Sequence, residues 1–346
     1  MIEYKLFSEI NLEDTFFDSL KADYKEFSTW FNNKSKQGER AFLLDEDGLQ
    51  AFLYLKVEDG IVNDVQPPLA AKKRIKIGTM KINPHGTRLG ERFIKVAFNI
   101  ALKNDLDEIY VTVFEHHKAL VGLFTEFGFS KIGEKVTSNG LELVLLKNFT
   151  FKHNDISKDF PVIDTTSNKY LLGIYPQFHS ILFPDSILNN EHGEDIIMDI
   201  SHTNSIHKIY ICKMSGVSSV KRGDNIIIYR TAPVGKSAWY HSVATTVCVA
   251  EEVKIKSDFS SEDEYIKYCS SYSIFNEKQL KEYFNWYNLI VIKFLYNASF
   301  SKRINRQRLI EEVGLSEHSY WGFMELSDSE YFKILELGQV NKKLIR

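Results

Sequence analysis

The chain is poor in cysteine: Cys212, Cys248 and Cys269 are the only three in 346 residues, and none has Cys-x-x-Cys spacing. That argues against a disulfide framework and against a thiolate zinc site, and it suits a reducing interior. Histidine offers no ligand pattern either. His202 and His207 stand five apart without acidic or cysteine company, read as surface residues, and leave no metal expected. No apolar run approaches the roughly 20 residues that span a bilayer. The opening MIEYKLFSEINLED has neither a basic nor an apolar leader segment, so the expectation is a soluble, cytoplasmic protein with no membrane partner. A strong charge of one sign is also missing. The formal net charge of −3 is shared almost evenly between the two halves. Neither half is a bulk polyanion binder, although a local basic patch stays open.

What is present is ample apolar material, 44% of the residues, over a length that exceeds one typical domain. Residues 148–168, NFTFKHNDISKDFPVIDTTSN, are sparse in apolar residues and rich in turn formers. They suggest domains over 1–150 and 168–346 with a linker over 151–167. In the first domain, residues 2–7 read as a strand. The aromatic stripe from Leu12 to Phe31 (Phe16, Phe17, Leu20, Tyr24, Phe27, Trp30, Phe31) reads as core rather than a binding box. Strands over 40–45 and 49–57 flank an Asp-Gly hairpin signal at Asp45-Glu46-Asp47-Gly48, and Ser138-Asn139-Gly140 marks a second hairpin. The basic run Lys72-Lys73-Arg74-Lys76 reads as a solvated strand edge, with contact to a nucleotide phosphate as the alternative.

The most informative stretch is 74–129. Ile75, Ile77, Met80 and Ile82 make a β-like run that Asn83-Pro84-His85-Gly86 breaks. After Gly90 the residues Phe93, Val96, Ala97, Ile100 and Ala101 recur at helical spacing. The turn Gly86-Thr87-Arg88-Leu89-Gly90 therefore opens a helix whose free N–H groups suit an anion, unless the glycines are ordinary turn residues. IYVTVF over 109–114 is a second strand, and HKALVGLFTEFGF is a short amphipathic helix ending at Gly128-Phe129.

Strand, turn, helix, strand, helix and Gly-Phe in this order resemble the acetyl-CoA-binding core of the GCN5-related N-acetyltransferase (GNAT) superfamily. The resemblance covers about residues 1–147. The family's turn, approximately Arg/Gln-x-x-Gly-x-Gly/Ala, maps onto His85-Gly86-Thr87-Arg88-Leu89-Gly90, with Gly90 matching and Arg88 in the place of the middle glycine. The resemblance implies acetyl-CoA as cofactor, held by this turn and by main-chain groups of Met80, Lys81 and Ile82, with His117 and Phe124 beside it. It implies transfer to an amine acceptor. Glu115 or His116, at the end of the second strand, would be the base. The family's general-acid tyrosine maps onto Phe124, in the pair Leu123-Phe124, and phenylalanine has no proton to give. A CoA-binding or sensing module with weak catalysis is therefore the alternative function.

In the second half, short β-rich runs alternate with turns, notably Val220-Lys221-Arg222-Gly223-Asp224 before IIIYR, with LIVIKFLY over 289–296. Helices are expected around 261–270, 276–286, 305–313 and 327–337. Ser261 with Glu264, and Ser327 with Glu330, have capping-box spacing. This pattern resembles the PUA-like superfamily, which includes ASCH and EVE domains. The overall expectation is an α+β protein: a GNAT-like mixed central sheet flanked by helices, then a PUA-like β-barrel with peripheral helices. The resemblance implies RNA as partner or acceptor, through Tyr229, Arg230, Trp239 and Tyr240 with Lys302, Arg303, Arg306 and Arg308. Core packing of Tyr229 and one exposed helix face for the basic run are the alternatives. Gly235-Lys236-Ser237 lacks the earlier glycine of a phosphate-binding P-loop, whose place Arg230 takes, and is set aside.

Overall fold

The computed structural model describes residues 2–45, 48–83, 88–183 and 205–346. The chain forms two compact units that divide at Asp159/Phe160. The first contains β1 (Ile2–Leu6), α1 (Asp18–Asp23), α2 (Phe27–Lys36), β2 (Arg40–Asp45), β3 (Leu49–Glu58), β4 (Arg74–Ile82), α3 (Leu89–Lys103), β5 (Glu108–Phe114), α4 (Lys118–Glu126), β6 (Ser130–Thr137), β7 (Gly140–Asn148) and α5 (Ile156–Asp159). The second contains β8 (Lys169–Ile174), α6 (Pro176–Leu182), β9 (His207–Cys212), β10 (Asn225–Arg230), α7 (Ala238–His241), β11 (Val243–Ile255), α8 (Glu262–Ser270), α9 (Glu277–Phe284), β12 (Ile290–Asn305), α10 (Arg306–Glu311), β13 (Phe323–Glu325) and α11 (Asp328–Leu337).

In the first unit a seven-stranded mixed sheet runs β1-β2-β3-β4-β5-β7-β6, with β4 and β5 parallel and the other neighbours antiparallel. The class is the α+β one expected, a mixed central sheet with helices. The aromatic stripe is core: Phe7, Phe16, Phe17, Phe27 and Phe31 pack with Phe52 and Tyr54 of β3. Both hairpin strand pairs form, although Glu46 and Asp47 lie outside the described residues. The basic run corrects the expectation of a solvated edge. β4 lies between β3 and β5, so Arg74 is 2% exposed, with its Nε 3.2 Å from Glu108 Oε2 and its Nη2 donating to the Ala70 carbonyl at 2.8 Å. Lys72 shares Glu108 at 2.9 Å.

The second unit is a six-stranded mixed sheet ordered β13-β8-β10-β11-β12-β9, with β8 and β10 parallel. Its core joins Leu172, Ile226, Ile228, Cys248, Ile292 and Phe294. The four expected helices form. Ser327 and Glu330 make the full capping box, with Glu330 N–H donating to Ser327 Oγ at 3.3 Å and Ser327 N–H to Glu330 Oε2 at 2.7 Å; Ser261 Oγ accepts from Glu264 N–H at 3.2 Å, but the Glu264 carboxylate accepts from Ser260 N–H at 2.7 Å instead. Residues 160–167, expected as linker, are fastened to this unit. Ile163 bridges Ile345 in parallel, and its N–H donates to the Leu344 carbonyl at 2.7 Å.

His207 is not a surface residue. It is 2% exposed, and its Nδ1 lies 2.7 Å from Glu251 Oε2, while Lys293 Nζ lies 3.0 Å from the other oxygen. Glu251 is the extra residue where the β11–β12 register shifts between Ala250 and Glu252. His202 lies outside the described residues.

Candidate functional site

Strands β4 and β5 pair only from Ile75↔Ile109 to Ile77↔Val111. Beyond that point β5 stays paired with β7, and β4 stays with β3. The cause of the parting is local. Between Tyr54↔Thr79 and Leu55↔Ile77 the residue Gly78 has no opposite number, and such a bulge bends and twists its strand. Only glycine fits there, because a Cβ on Gly78 would lie 2.6 Å from Cδ1 of the Tyr54 ring.

The parting opens a cleft of about 1030 Å³, lined by Gly78 to Ile82 of β4, Val111 to Val113 of β5, the first turn of α3 and the facing side of α4. Its volume is at the upper end of small-molecule sites, about 300–1,000 Å³. Of the residues singled out from sequence, Met80, Lys81, Ile82, Arg88, Leu89, Gly90, His116 and His117 line it. His85, Gly86 and Thr87 lie outside the described residues.

Arg88 caps α3 in the left-handed conformation, φ 55° and ψ 27°. That is the conformation in which glycine is at ease, so the arginine holds it at a cost of about 1–2 kcal/mol. Its Nη1 lies 3.8 Å from Glu91 Oε1. Gly90 serves packing. A Cβ there would meet Leu123 Cδ2 at 2.7 Å, so its missing side chain lets α3 approach α4. The Lys81 ammonium donates to the Phe16 carbonyl and the Ser19 hydroxyl and sits 4.9 Å over the Phe16 ring, and burial lowers its pKa.

Two residues singled out from sequence do not line the cleft. Phe124 is 0% exposed, with its ring 4.9 Å from that of Phe129, and it is not among the cleft-lining residues. Its face of α4 points into the core. Glu115 also stays out of the lining. Its side chain is 70% exposed and pairs with Lys118 at 3.0 Å, which holds its carboxyl below the usual range.

His116 and His117 remain, and a residue that sequence reasoning missed meets them. His117 Nε2 lies 2.9 Å from Asp23 Oδ2, and His116 Nε2 lies 3.7 Å from Asp23 Oδ1. Aromatic stacking sets these positions. The His116 ring stacks on Phe114 at 5.4 Å, and Tyr24, the neighbour of Asp23, stacks on the same Phe114 at 5.1 Å. Tyr24 Oη donates to Glu142 Oε1 at 2.7 Å. Burial first, and then this carboxylate, push the Tyr24 phenol up, so it keeps its proton. Glu142 is 3% exposed and carried a usable signal: it shares the inward face of β7 with Val144, while Leu141 points outward at 50% exposed. Nothing near Asp23 in sequence marks it.

At the other end of the cleft, burial would raise the Glu58 carboxyl. Its bonds to Tyr110 and Lys56 and the nearby Lys76 ammonium, 4.0 Å away, hold it below its ordinary value. Burial lowers the Lys76 pKa.

In the second unit the nucleic-acid candidates separate. Tyr229 is 1% exposed with its ring 5.0 Å from Trp321, so it is core and unavailable for stacking on a base. The Arg306 guanidinium lies 4.5 Å over the other partner of that stack, Trp321, which sequence reading passed over. Tyr240 is 61% exposed on α7, Trp239 and Arg230 are half-buried, and α7 packs beside α10. Arg308 is taken up by Glu312, Nη2 to Oε2 at 3.0 Å, and Lys302 is exposed. Arg230 and Arg303 both act on the buried His179. Burial and then these two guanidiniums bring His179 down to about 3, with its Nε2 2.8 Å from Thr245 Oγ1.

No family model matches the chain, and no curated protein matches it. Solved structures similar to it include ASCH from Zymomonas mobilis, at 13% identity over 49% of this chain and 94% of that one, TM-score 0.34. A GNAT-family acetyltransferase from Streptococcus agalactiae is 13% identical over 42% of this chain and 95% of that one, TM-score 0.30. A chain of the NatC complex bound to Gag peptide and CoA is 16% identical over 42% of this chain and 96% of that one, TM-score 0.28.

Proposed function

We propose that the first unit is an acetyl-CoA-dependent N-acetyltransferase acting on an amine. The observation that supports this reading is the cleft where β4 and β5 part, with the start of α3 at one side and a His–Asp pair at another. The donor set suits a long, partly extended, anionic cofactor. The edge of Gly78 to Ile82 that faces away from β3 has no strand partner, and so offers main-chain N–H and C=O groups. The helix N-terminus at Arg88 to Gly90 favours phosphate. Acetyl-CoA, when bound, supplies an acyl group activated as a thioester.

The chain's own residues supply the rest. An ammonium acceptor must lose a proton to become nucleophilic, and His116 and His117 are placed to take it, with Asp23 orienting the His117 ring through its Nε2. Solvent would return a proton to the leaving thiolate, because Tyr24, the phenol at this end of the cleft, donates to Glu142 and keeps its own. The test is turnover of labelled acetyl-CoA against a panel of amines, with His116→Ala/His117→Ala as the control. Binding without turnover would favour the CoA-sensing module, and absence of both would end the reading.

For the second unit we infer an RNA-contacting face built from Trp239, Tyr240, Arg230, Arg303 and Arg306. It is favoured by exposed Tyr240 and half-buried Trp239 on α7, which packs beside α10 with its Arg306. Binding of the full chain to a fluorescent RNA pool should weaken linearly with log salt, and Trp239→Ala should weaken it further. No binding at low salt would refute it.

A further inference from the structure

The Asp23, His116 and His117 cluster has a second chemistry. One carboxylate oxygen and two imidazole nitrogens, one from each residue, lie within 4.8 Å of one another. We propose that these three side chains bind a divalent transition-metal ion, through Asp23 Oδ and the Nε2 atoms of both histidines.

The distances suit such an ion. Four-coordinate zinc bonds of about 2.0–2.1 Å place ligand atoms roughly 3.3–3.5 Å apart. His117 Nε2 lies 2.9 Å from Asp23 Oδ2 and His116 Nε2 lies 3.7 Å from Asp23 Oδ1, the two oxygens of one carboxylate, and the three ligand atoms lie within 4.8 Å of one another. Rotation of the carboxylate and of the partly exposed histidines brings them to the spacing of a bound ion. Two imidazoles and one carboxylate select zinc, cobalt, nickel or iron over magnesium or calcium, which require oxygen. Three protein ligands leave a position for water or a substrate group, as in catalytic rather than structural sites.

The ligands are also held in place. The His116 ring and the Tyr24 ring both stack on Phe114, and Tyr24 is fixed in turn by Glu142. The two histidine rings lie 4.3 Å apart, with 49° between their planes, so consecutive residues turn their Nε2 atoms to one carboxylate. The trio lines the cleft, where an open position would face whatever enters. Sequence reading expected no metal because it weighed His202, His207 and the cysteine spacing. Asp23 is too distant from His116 in sequence for spacing to reveal the set.

A bound ion would occupy the Nε2 atoms that the acetyltransferase reading uses to take a proton, so the two readings compete for these atoms, and this one is tested without acetyl-CoA. Chelator-treated full-length protein is titrated with Zn²⁺ and Co²⁺, with Mg²⁺ as control, by calorimetry and by the visible spectrum of Co²⁺. One high-affinity equivalent of Zn²⁺ and the intense absorption of four-coordinate Co²⁺ are expected. Mg²⁺ should not compete. Losing a second-shell partner costs about 10–100-fold in affinity, so His117→Ala and Asp23→Ala should each lose more than about 100-fold. His116 and His117 are partly exposed, so metal-free melting of the His116→Ala/His117→Ala protein should match wild type and show that it is folded. Equal Zn²⁺ affinity in wild type and the folded double variant would overturn the proposal. So would equal competition by Mg²⁺.

Discussion

Replacing Glu251 with glutamine should destabilise the second unit in a way that depends on pH. Burial alone would raise this carboxyl. His207 at 2.7 Å and Lys293 at 3.0 Å more than reverse that effect and lower it from 4.5 to about 2. The difference corresponds to about 3 kcal/mol of stability. A folded-state value below the unfolded one means the contribution is whole above about pH 5.5 and is lost as pH falls toward 2; about 1 kcal/mol is gone at pH 4 and about 2 at pH 3. At pH 7 Glu251→Gln leaves two buried bases facing a neutral amide, and the expected cost is about 3–5 kcal/mol. Urea unfolding followed by tryptophan fluorescence suits the measurement, because Trp239, Trp286 and Trp321 lie in this unit and only Trp30 does not. Losses common to both proteins cancel in the difference. The gap between wild type and variant should shrink steadily from pH 6 to pH 3. A gap that is equal at pH 7 and pH 3 would show that the charge contributes nothing and would refute the reasoning.

Arg88→Gly should raise stability by about 1 kcal/mol in thermal unfolding, since glycine takes the φ of 55° without strain; a loss would mean the arginine's contacts outweigh the backbone cost. Phe124→Tyr should not raise turnover and should cost about 1–3 kcal/mol, because its hydroxyl would enter the core beside Phe129; faster turnover with unchanged stability would return the ring to the cleft. His179, held neutral by burial with a folded value of about 3, binds fewer protons folded than unfolded below pH 6.5. Its contribution is whole above that value and falls by about 2 kcal/mol between pH 7 and pH 5, so His179→Phe should lose less stability than wild type over that interval.

Local signals were legible from sequence, and distant partnerships were not. Asn139-Gly140 and the spacings Ser261/Glu264 and Ser327/Glu330 each act within four residues, and the structure places hairpin and helix starts where they predict. The strand–turn–helix run through Gly90 located one wall of the cleft. The mistaken placements share a cause. Arg74 and His207 are buried because carboxylates 34 and 44 positions away neutralise them, and charge alone had marked both as surface residues. Asp23 joins His117 only because Tyr24 and His116 stack on one phenylalanine, which no periodicity encodes. Phe124 was assigned by alignment to a motif, whereas the side of α4 it occupies depends on how that helix packs.

The pairing of Ile163 with Ile345 has a kinetic consequence. Residues about 180 apart in the chain are joined there, and Arg346 N–H donates to the Ile163 carbonyl at 2.9 Å while Thr165 N–H donates to the Arg346 carbonyl at 3.0 Å. At about 5–20 residues per second, ribosomal synthesis separates the emergence of these two segments by roughly 10–40 s. The first unit, whose sheet lies wholly before residue 149, has that interval in which to fold. The second cannot close its own beginning until its last residues emerge. Folding on the ribosome is therefore sequential: the cleft-bearing unit is complete while the unit behind it is still open.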